Sequence, residues 1–183
     1  QAAAESGADL IVMGTRGASG IREALIGTIS ASVVEKAECP VIVVPEETSW
    51  SNFDRILYAT SYEEGDYGNV EGVIEFAKAM NAEVILLHIS SGKYEKTYEF
   101  DAIERFKESI RADSGYERLS FKLLDDEDVY EGINAYAAEI RADMLAMTLR
   151  HRPFMSRLFQ RSMSKRMAFH THIPLMVMHS KTA

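Results

Sequence analysis

Apolar residues from position 54 onward alternate between short continuous runs and helix-like spacings. The runs DRILYAT at 54–60 and EVILLHI at 83–89 are typical of parallel strands that are covered on both faces. Between them, the apolar residues of 69–80 recur at the spacing of one face of a helix. This part of the chain therefore predicts a strand, a helix and a second strand in succession.

The same alternation continues toward the end of the chain. Helical spacing recurs in 103–110 and in 129–140, and the acidic run DDED suits the first turn of the later helix. Strands that alternate with helices predict an α/β fold with a mostly parallel sheet and right-handed crossovers. The remaining predicted elements are strands LSFKL at 119–123, MLAMT at 144–148 and PLMVM at 174–178, with a helix within roughly 157–170.

The opening segment of the chain recurs 134 positions later without a gap. AAESGADLIVMGTR at 3–16 lies over AAEIRADMLAMTLR at 137–150, and CPVIVV at 39–44 lies over IPLMVM at 173–178. Ten positions are identical across residues 1–45, which predicts an internal repeat.

The repeat predicts two units of unequal completeness. Residues 49–183 form a complete unit, whereas residues 1–48 match only its end: part of a helix, a strand, a glycine-rich loop, a helix and a strand. By analogy with 54–134, about eighty residues are expected to be missing from the front of the first unit.

Composition narrows the class of protein. The chain has 183 residues, 46% of them apolar, and a formal charge of −8, which argues against a nucleic-acid binder because such proteins need cationic contacts to phosphates. No apolar run approaches the ~20 residues of a membrane span. The single cysteine, Cys39, cannot form an internal disulfide, so we expect a cytoplasmic protein.

Glycines at 14, 17 and 27 follow the apolar run LIVM and precede a hydroxyl residue at 28. A strand, a glycine-rich loop and the start of a helix place backbone N–H groups where an anion can bind, and glycine lets a ligand approach the backbone closely. No lysine follows the third glycine and the spacing is not G-x-G-x-x-G, so two common nucleotide motifs are excluded. Each glycine alone fits an ordinary loop, but the spaced set favours a phosphate site.

The spacing G-x2-G-x9-G-T between LIVM and CPVIVV resembles the nucleotide motif of the universal stress protein family. The two-unit layout resembles the tandem members of that family, here with the first domain truncated. The resemblance covers essentially the whole chain. It implies a three-layer α/β sandwich with a five-stranded, mostly parallel sheet, similar to Rossmann-like adenine-nucleotide α-hydrolases. It also implies bound ATP and pairing through the last strands.

The resemblance implies a role for each motif residue. The first two glycines would lie along the ribose and the first phosphates, and the third glycine with the following threonine would hold the outer phosphates. An arginine would lie at the rim, and a serine in the first turn of the helix would add a hydroxyl. The adenine would be held by the ends of the first two strands, which the first unit lacks. The expected cofactor-binding residues are Gly14, Arg16, Gly17, Gly27, Thr28 and Ser30.

The second repeat carries different residues at the positions of this motif. Thr148, His151 and Arg161 replace the three glycines, and only the hydroxyl survives, as Ser162. Ser61 follows the first strand of this unit, where the family more often has aspartate. Side chains at the glycine positions occupy space and restrict φ, so we predict that the second unit does not bind ATP in the family manner.

Basic residues crowd the rewritten stretch 150–166 of an otherwise acidic chain. One interpretation is an anion site or a docking face for an acidic partner. The other is a solvated helix face that balances the acidic segments. The sequence leaves both open.

The resemblance implies a nucleotide-binding stress-response protein, and the sequence predicts no catalytic residues and no metal site. No nucleophile–base arrangement or metal-ligand spacing is present, so any ATP hydrolysis would be slow and incidental. The expected partners are a nucleotide and a second copy of the chain, or instead an internal pseudo-dimer made through the last strands, with no membrane and no nucleic acid. The alternative function is an interaction or oligomerisation module that binds no nucleotide.

Overall fold

The computed structural model of the chain describes residues 7–15, 28–46, 48, 52–62, 66–91, 96–149 and 172–179. Five of the strands in these residues lie within 49–183 and two lie within 1–48. The helix predicted within 157–170 lies outside the described residues. In chain order the elements are β1 Ile11–Gly14, α1 Thr28–Lys36, β2 Val41–Val44, β3 Arg55–Ala59, α2 Tyr67–Met80, β4 Glu83–Ser90, α3 Lys96–Ser114, β5 Leu119–Asp125, α4 Val129–Glu139, β6 Met144–Leu149 and β7 Leu175–His179.

The chain divides into two compact units. One comprises residues 1–50 with 146–181, and the other comprises 51–145 with 182–183. The first groups the last strand of the chain with the opening segment. The domain boundary between residues 48 and 49 stays a prediction drawn from the sequence repeat.

In the unit of residues 51–145, β3, β4 and β5 pair in that order, and both pairs are parallel. Lys107 of α3 lies over the ring of Phe121, whereas Lys122 lies over the ring of Tyr136 on α4. Neighbouring residues of a strand point to opposite faces of the sheet, so α3 and α4 cover opposite faces. The predicted α/β class with helices on both faces is thereby confirmed.

The core of this unit follows the apolar periodicity of the sequence. The helix α2 buries Val70, Val73, Ile74 and Ala77, which are the residues whose spacing predicts it. The helix α4 begins at the acidic run, where the carboxylate of Asp128 accepts hydrogen bonds from the first backbone N–H groups of the helix. The sequence pattern thus fixes which faces of these helices meet the sheet.

Asp143, just before β6, holds the start of β3 through hydrogen bonds. Its Oδ2 accepts hydrogen bonds from the backbone N–H of Asp54 at 2.9 Å and of Arg55 at 2.8 Å. Its own N–H donates to the carbonyl of Arg55 at 2.9 Å. This half-buried carboxylate therefore supplies an acceptor for two strand donors at once.

In the unit of residues 1–50 and 146–181, the strand order is β1-β2-β7-β6. The strand β1 pairs with β2 in parallel, and β2 pairs with β7 antiparallel. The partners across the second pair are Val41 with Val177, Ile42 with Met176, and Val43 with Leu175. The two last strands of the predicted repeats therefore pair with each other within the chain.

The register of this pair follows the sequence repeat. Ile42 and Met176 are equivalent under the offset of 134, and they face each other. The flanking pairs exchange places under the same offset. Such reciprocal contacts are what a two-fold axis produces, and here the axis would pass between two equivalent residues of one chain.

Candidate functional site

The carboxyl end of β1 meets the first turn of α1. The Ser30 hydroxyl donates to the carbonyl of Gly14 at 3.1 Å, and Ser30 is 4% exposed. The backbone N–H of Thr15 donates to the carbonyl of Val44 at 3.0 Å, which holds the chain just beyond β1 against β2. Two of the predicted site residues, Gly14 and Ser30, are thus in direct contact at the carboxyl edge of a parallel strand pair, the edge at which open α/β sheets bind ligands.

The described residues around Gly14 do not require a glycine at this position. Its φ does not lie in the left-handed region, and a Cβ built on it would find its nearest heavy atom, the Val44 carbonyl oxygen, at 4.0 Å. The residue is exposed. A larger side chain would fit the described surroundings, so a glycine here leaves the backbone open to close approach from outside.

The remaining predicted residues are only partly described. The helix α1 begins at Thr28, two residues before Ser30, and the side chain of Thr28 is not described. Arg16, Gly17 and Gly27 lie outside the described residues. Their expected roles along the phosphates stay predictions.

Replacing Ser30 by alanine should lower the free energy of unfolding by about 1 kcal/mol, because a buried hydrogen bond is lost and the Gly14 carbonyl loses a donor. Urea unfolding followed by circular dichroism measures this difference. Ser32→Ala in the same helix is the control, because it carries the same gain in helix propensity without that contact. Equal effects of the two substitutions would show that the hydrogen bond contributes nothing.

A second polar cluster lies at the carboxyl end of β3. The carboxylate of Asp66 is buried, and its Oδ2 accepts from the Thr60 hydroxyl at 2.9 Å, the Ser61 N–H at 3.0 Å and the Ser61 hydroxyl at 3.3 Å. Asp66 lies between β3 and α2, and the apolar pattern of the sequence does not identify it. Position 61 carries a serine where the family more often has an aspartate. The carboxylate of Asp66, five residues downstream, lies against Ser61 and accepts hydrogen bonds from it.

Tyr62 follows directly and is held in an unusual backbone conformation. Its φ is 55°, a region that costs a bulky L-residue about 1–3 kcal/mol. Its N–H donates to the Thr60 hydroxyl oxygen at 2.9 Å, and its side chain is 8% exposed. Burial, with a smaller contribution from Glu104, raises the pKa of the Tyr62 hydroxyl, so the phenol stays neutral across the physiological range.

His88, on β4, contributes to the same edge. Its Nδ1 donates to the Thr60 carbonyl at 2.9 Å, because a carbonyl oxygen can only accept. The ring is half-buried and lies 5.1 Å from the ring of Tyr62. The histidine therefore serves as a hydrogen-bonded part of the strand ends.

The second copy of the glycine motif is described only at Thr148, which lies in β6. His151, Arg161, Ser162 and the basic stretch 150–166 lie outside the described residues, so the expected loss of ATP binding and both interpretations of the basic stretch stay predictions. His179 donates through Nε2 to the Val34 carbonyl at 2.7 Å. In the described ranges, His, Cys, Asp and Glu side chains form no group of three or more that could hold a metal ion.

In the part of the chain that the structure describes, no helix has both the length and the apolar character needed to cross a membrane.

Comparison with known proteins gives one consistent family. A universal stress protein of Methanocaldococcus jannaschii is 51% identical over 37 residues, which are 20% of this chain and 22% of that protein. The crystal structure of a universal stress protein from Archaeoglobus fulgidus matches with a TM-score of 0.78 at 24% identity and covers 97% of this chain. This chain spans 64% of the length of that one, and the likeness shows the fold.

Two further solved structures share the fold with lower scores. A universal stress protein in complex with cAMP matches 72% of this chain and 100% of its own, with a TM-score of 0.60 and 14% identity. A universal stress protein from Archaeoglobus fulgidus in complex with dAMP matches 69% of this chain and 98% of its own, with a TM-score of 0.53 and 14% identity. The profile of the universal stress protein family matches residues 1–45 and 52–179. The chain therefore belongs to the universal stress protein family.

Proposed function

We propose that the first repeat supplies the phosphate-binding half of an adenine-nucleotide site, and that the intact protein binds ATP there as part of a stress response. The second repeat acts as a partner that has lost this motif. The protein works in the cytoplasm. The two repeats pair with each other within one chain, through β2 and β7, and this replaces pairing between two chains.

The observation that carries this proposal is the contact of Ser30 with Gly14. It brings the first turn of α1, whose backbone N–H groups have no acceptor within the helix, to the carboxyl end of β1. The glycine beside this contact is exposed, and a Cβ on it would have room among the described residues, so none of these residues requires a glycine there. Close approach of a ligand to the backbone does explain it.

Two further observations support the proposal. The complexes of structural neighbours with cAMP and dAMP are compatible with an adenine nucleotide as the ligand class, although their low identity carries the fold alone. The left-handed backbone at Gly7, with φ of 62°, recurs at its repeat equivalent Arg141, with φ of 52°. This agreement supports the repeat on which the assignment of the first unit depends.

We expect ATP to bind a protein extended by a complete first repeat, and to bind this chain much more weakly, because the adenine-contacting strands of the first repeat are then absent. In the extended protein, Gly14→Ala should weaken ATP binding about tenfold or more, since the added methyl occupies ligand space. Isothermal titration measures both. Thr148→Ala, at the equivalent position of the second repeat, should leave the affinity unchanged.

The alternative is an interaction module that binds no nucleotide. The antiparallel pairing of β2 with β7 favours it, because joining the two repeats through their last strands is itself an interaction function. No ATP binding to the extended protein would support this alternative and end the nucleotide proposal. Unaltered ATP affinity in the folded Gly14→Ala protein would show that ATP does not bind at Gly14, and the proposed site would be wrong.

A further inference from the structure

A cleft lies at the amino ends of β3, β4 and β5, at the opposite edge of the sheet from the cluster around Asp66. Its volume is about 510 Å³, which suits a small molecule. Ile85 on β4 and Ser120 on β5 lie opposite each other in the parallel pair and form the floor, and the end of α4 forms a wall. All the lining residues belong to the unit of residues 51–145, so the cleft is contained in that unit.

Two guanidinium groups line the cleft. Nη1 of Arg55 donates to the carbonyl of Ile140 at 2.8 Å, and Nε of Arg55 lies 3.8 Å from Oε2 of Glu83, in an ion pair too long for a hydrogen bond. A guanidinium carries five N–H donors, so Arg55 keeps donors for a ligand. Arg141 follows Ile140 in the chain, and its side chain makes no hydrogen bond or ion pair to the residues placed in the structure. These groups suit a carboxylate, which accepts two parallel hydrogen bonds from a guanidinium.

The last turn of α4 supplies the opposite charge. Glu139 is exposed, lines the cleft and forms no ion pair within the described ranges, and the Tyr136 hydroxyl one turn earlier has no hydrogen-bond partner there. Burial raises the pKa of this phenol, and the carboxylates of Glu139 and Glu83 raise it further because they disfavour a phenolate. The carboxyl end of a helix adds a partial negative charge. An ammonium group is therefore favoured at this wall.

The opposite charges of the cleft are not spent on each other. On other helices of this unit, Lys78 pairs with Glu75 and Lys107 pairs with Glu104, each at 2.7 Å and a spacing of three residues. Glu139 and Arg141 are two residues apart, a spacing at which helical side chains do not face each other. The cleft therefore presents a negative and a positive group separately to a ligand.

We propose that this cleft binds a small zwitterion with the chemistry of a free α-amino acid that has an aliphatic side chain. The ligand carboxylate accepts hydrogen bonds from Arg55 and Arg141. The ligand ammonium group donates to Glu139 and to the Tyr136 hydroxyl oxygen, and the aliphatic side chain packs on Ile85. A ligand of a single charge is disfavoured, because one of the two sets of charges repels it. The inference does not depend on the proposed nucleotide site of the first repeat.

Isothermal titration of L-leucine into the chain tests the proposal, with two derivatives as controls. N-acetyl-L-leucine lacks the ammonium charge, and L-leucinamide lacks the carboxylate. L-leucine should bind saturably with a dissociation constant of about 1 mM or tighter, and each derivative should bind at least about tenfold more weakly. Absence of saturable leucine binding, or a derivative that binds as tightly as leucine, would overturn the proposal.

Two substitutions test whether leucine binds in the cleft. Glu139→Gln should weaken the binding of L-leucine about tenfold and leave that of N-acetyl-L-leucine unchanged, because this derivative has no ammonium charge. Arg141→Asn should weaken L-leucine similarly and leave L-leucinamide unchanged, and asparagine tolerates the φ of 52° at this position. Glu108→Gln is the control, because Glu108 is also exposed but lies on α3, which covers the other face of the sheet. Circular dichroism checks that each variant folds. Wild-type leucine affinity in both folded cleft variants would show that leucine binds elsewhere, and the proposal would fail.

Discussion

Replacing Val177 by aspartate is expected to lower the free energy of unfolding by about 4 kcal/mol or more. Val177 lies in β7 between two other strands, opposite Val41, and both side chains are fully buried. A carboxylate there would lose its hydration without gaining a hydrogen-bonded partner. Urea unfolding gives the difference in stability.

Val12→Asp is the matched control for this change. Val12 lies on β1 of the same unit, and 62% of it is exposed. The control carries the same loss of β propensity and the same added charge, but it should change stability by only about 0.5 kcal/mol. Similar costs at the two positions would mean that β7 is not packed as described.

Replacing Asp143 by alanine should lower the free energy of unfolding by about 2 kcal/mol. The substitution removes a charged acceptor that two backbone N–H groups at the start of β3 share. Asp143→Asn should cost less, because the amide oxygen still accepts a hydrogen bond. Chemical unfolding of the three proteins ranks them.

Asp9→Ala is the control that the repeat provides. Asp9 is equivalent to Asp143 under the offset of 134, but it is exposed and makes no described side-chain hydrogen bond to the residues placed in the structure. Its removal should change the stability of this chain by about 0.5 kcal/mol or less. In a protein extended by a complete first repeat, the same substitution should become as costly as Asp143→Ala. Equal costs already in this chain would contradict the role given to Asp143.

Apolar periodicity closely predicted those elements of the second repeat that the structure describes. The predicted strand at 83–89 is observed as Glu83–Ser90, and the helix predicted over 69–80 begins two residues earlier. These elements bury continuous runs or one helical face, so the pattern of apolar residues carries their positions directly. The contact between Gly14 and Ser30 was not predicted, because the motif assigns the Ser30 hydroxyl to the ligand and not to the Gly14 carbonyl.

The cluster around Asp66 could not be predicted in the same way. Its geometry depends on a positive φ at Tyr62 and on hydrogen bonds that cross a turn, and neither leaves a periodic trace in the sequence. The ring of Tyr62 contacts a histidine from β4 and a phenylalanine from α3, which are eighteen residues apart. Only tertiary structure brings such residues together.

The pairing of β2 with β7 has a consequence for how the protein responds to dilution. A strand pair formed between two separate chains dissociates when the concentration of the chains falls below the dissociation constant. Here both strands belong to one chain, so the effective concentration of each strand for the other is fixed by the covalent link between them. The melting temperature of this strand pair is therefore independent of the protein concentration.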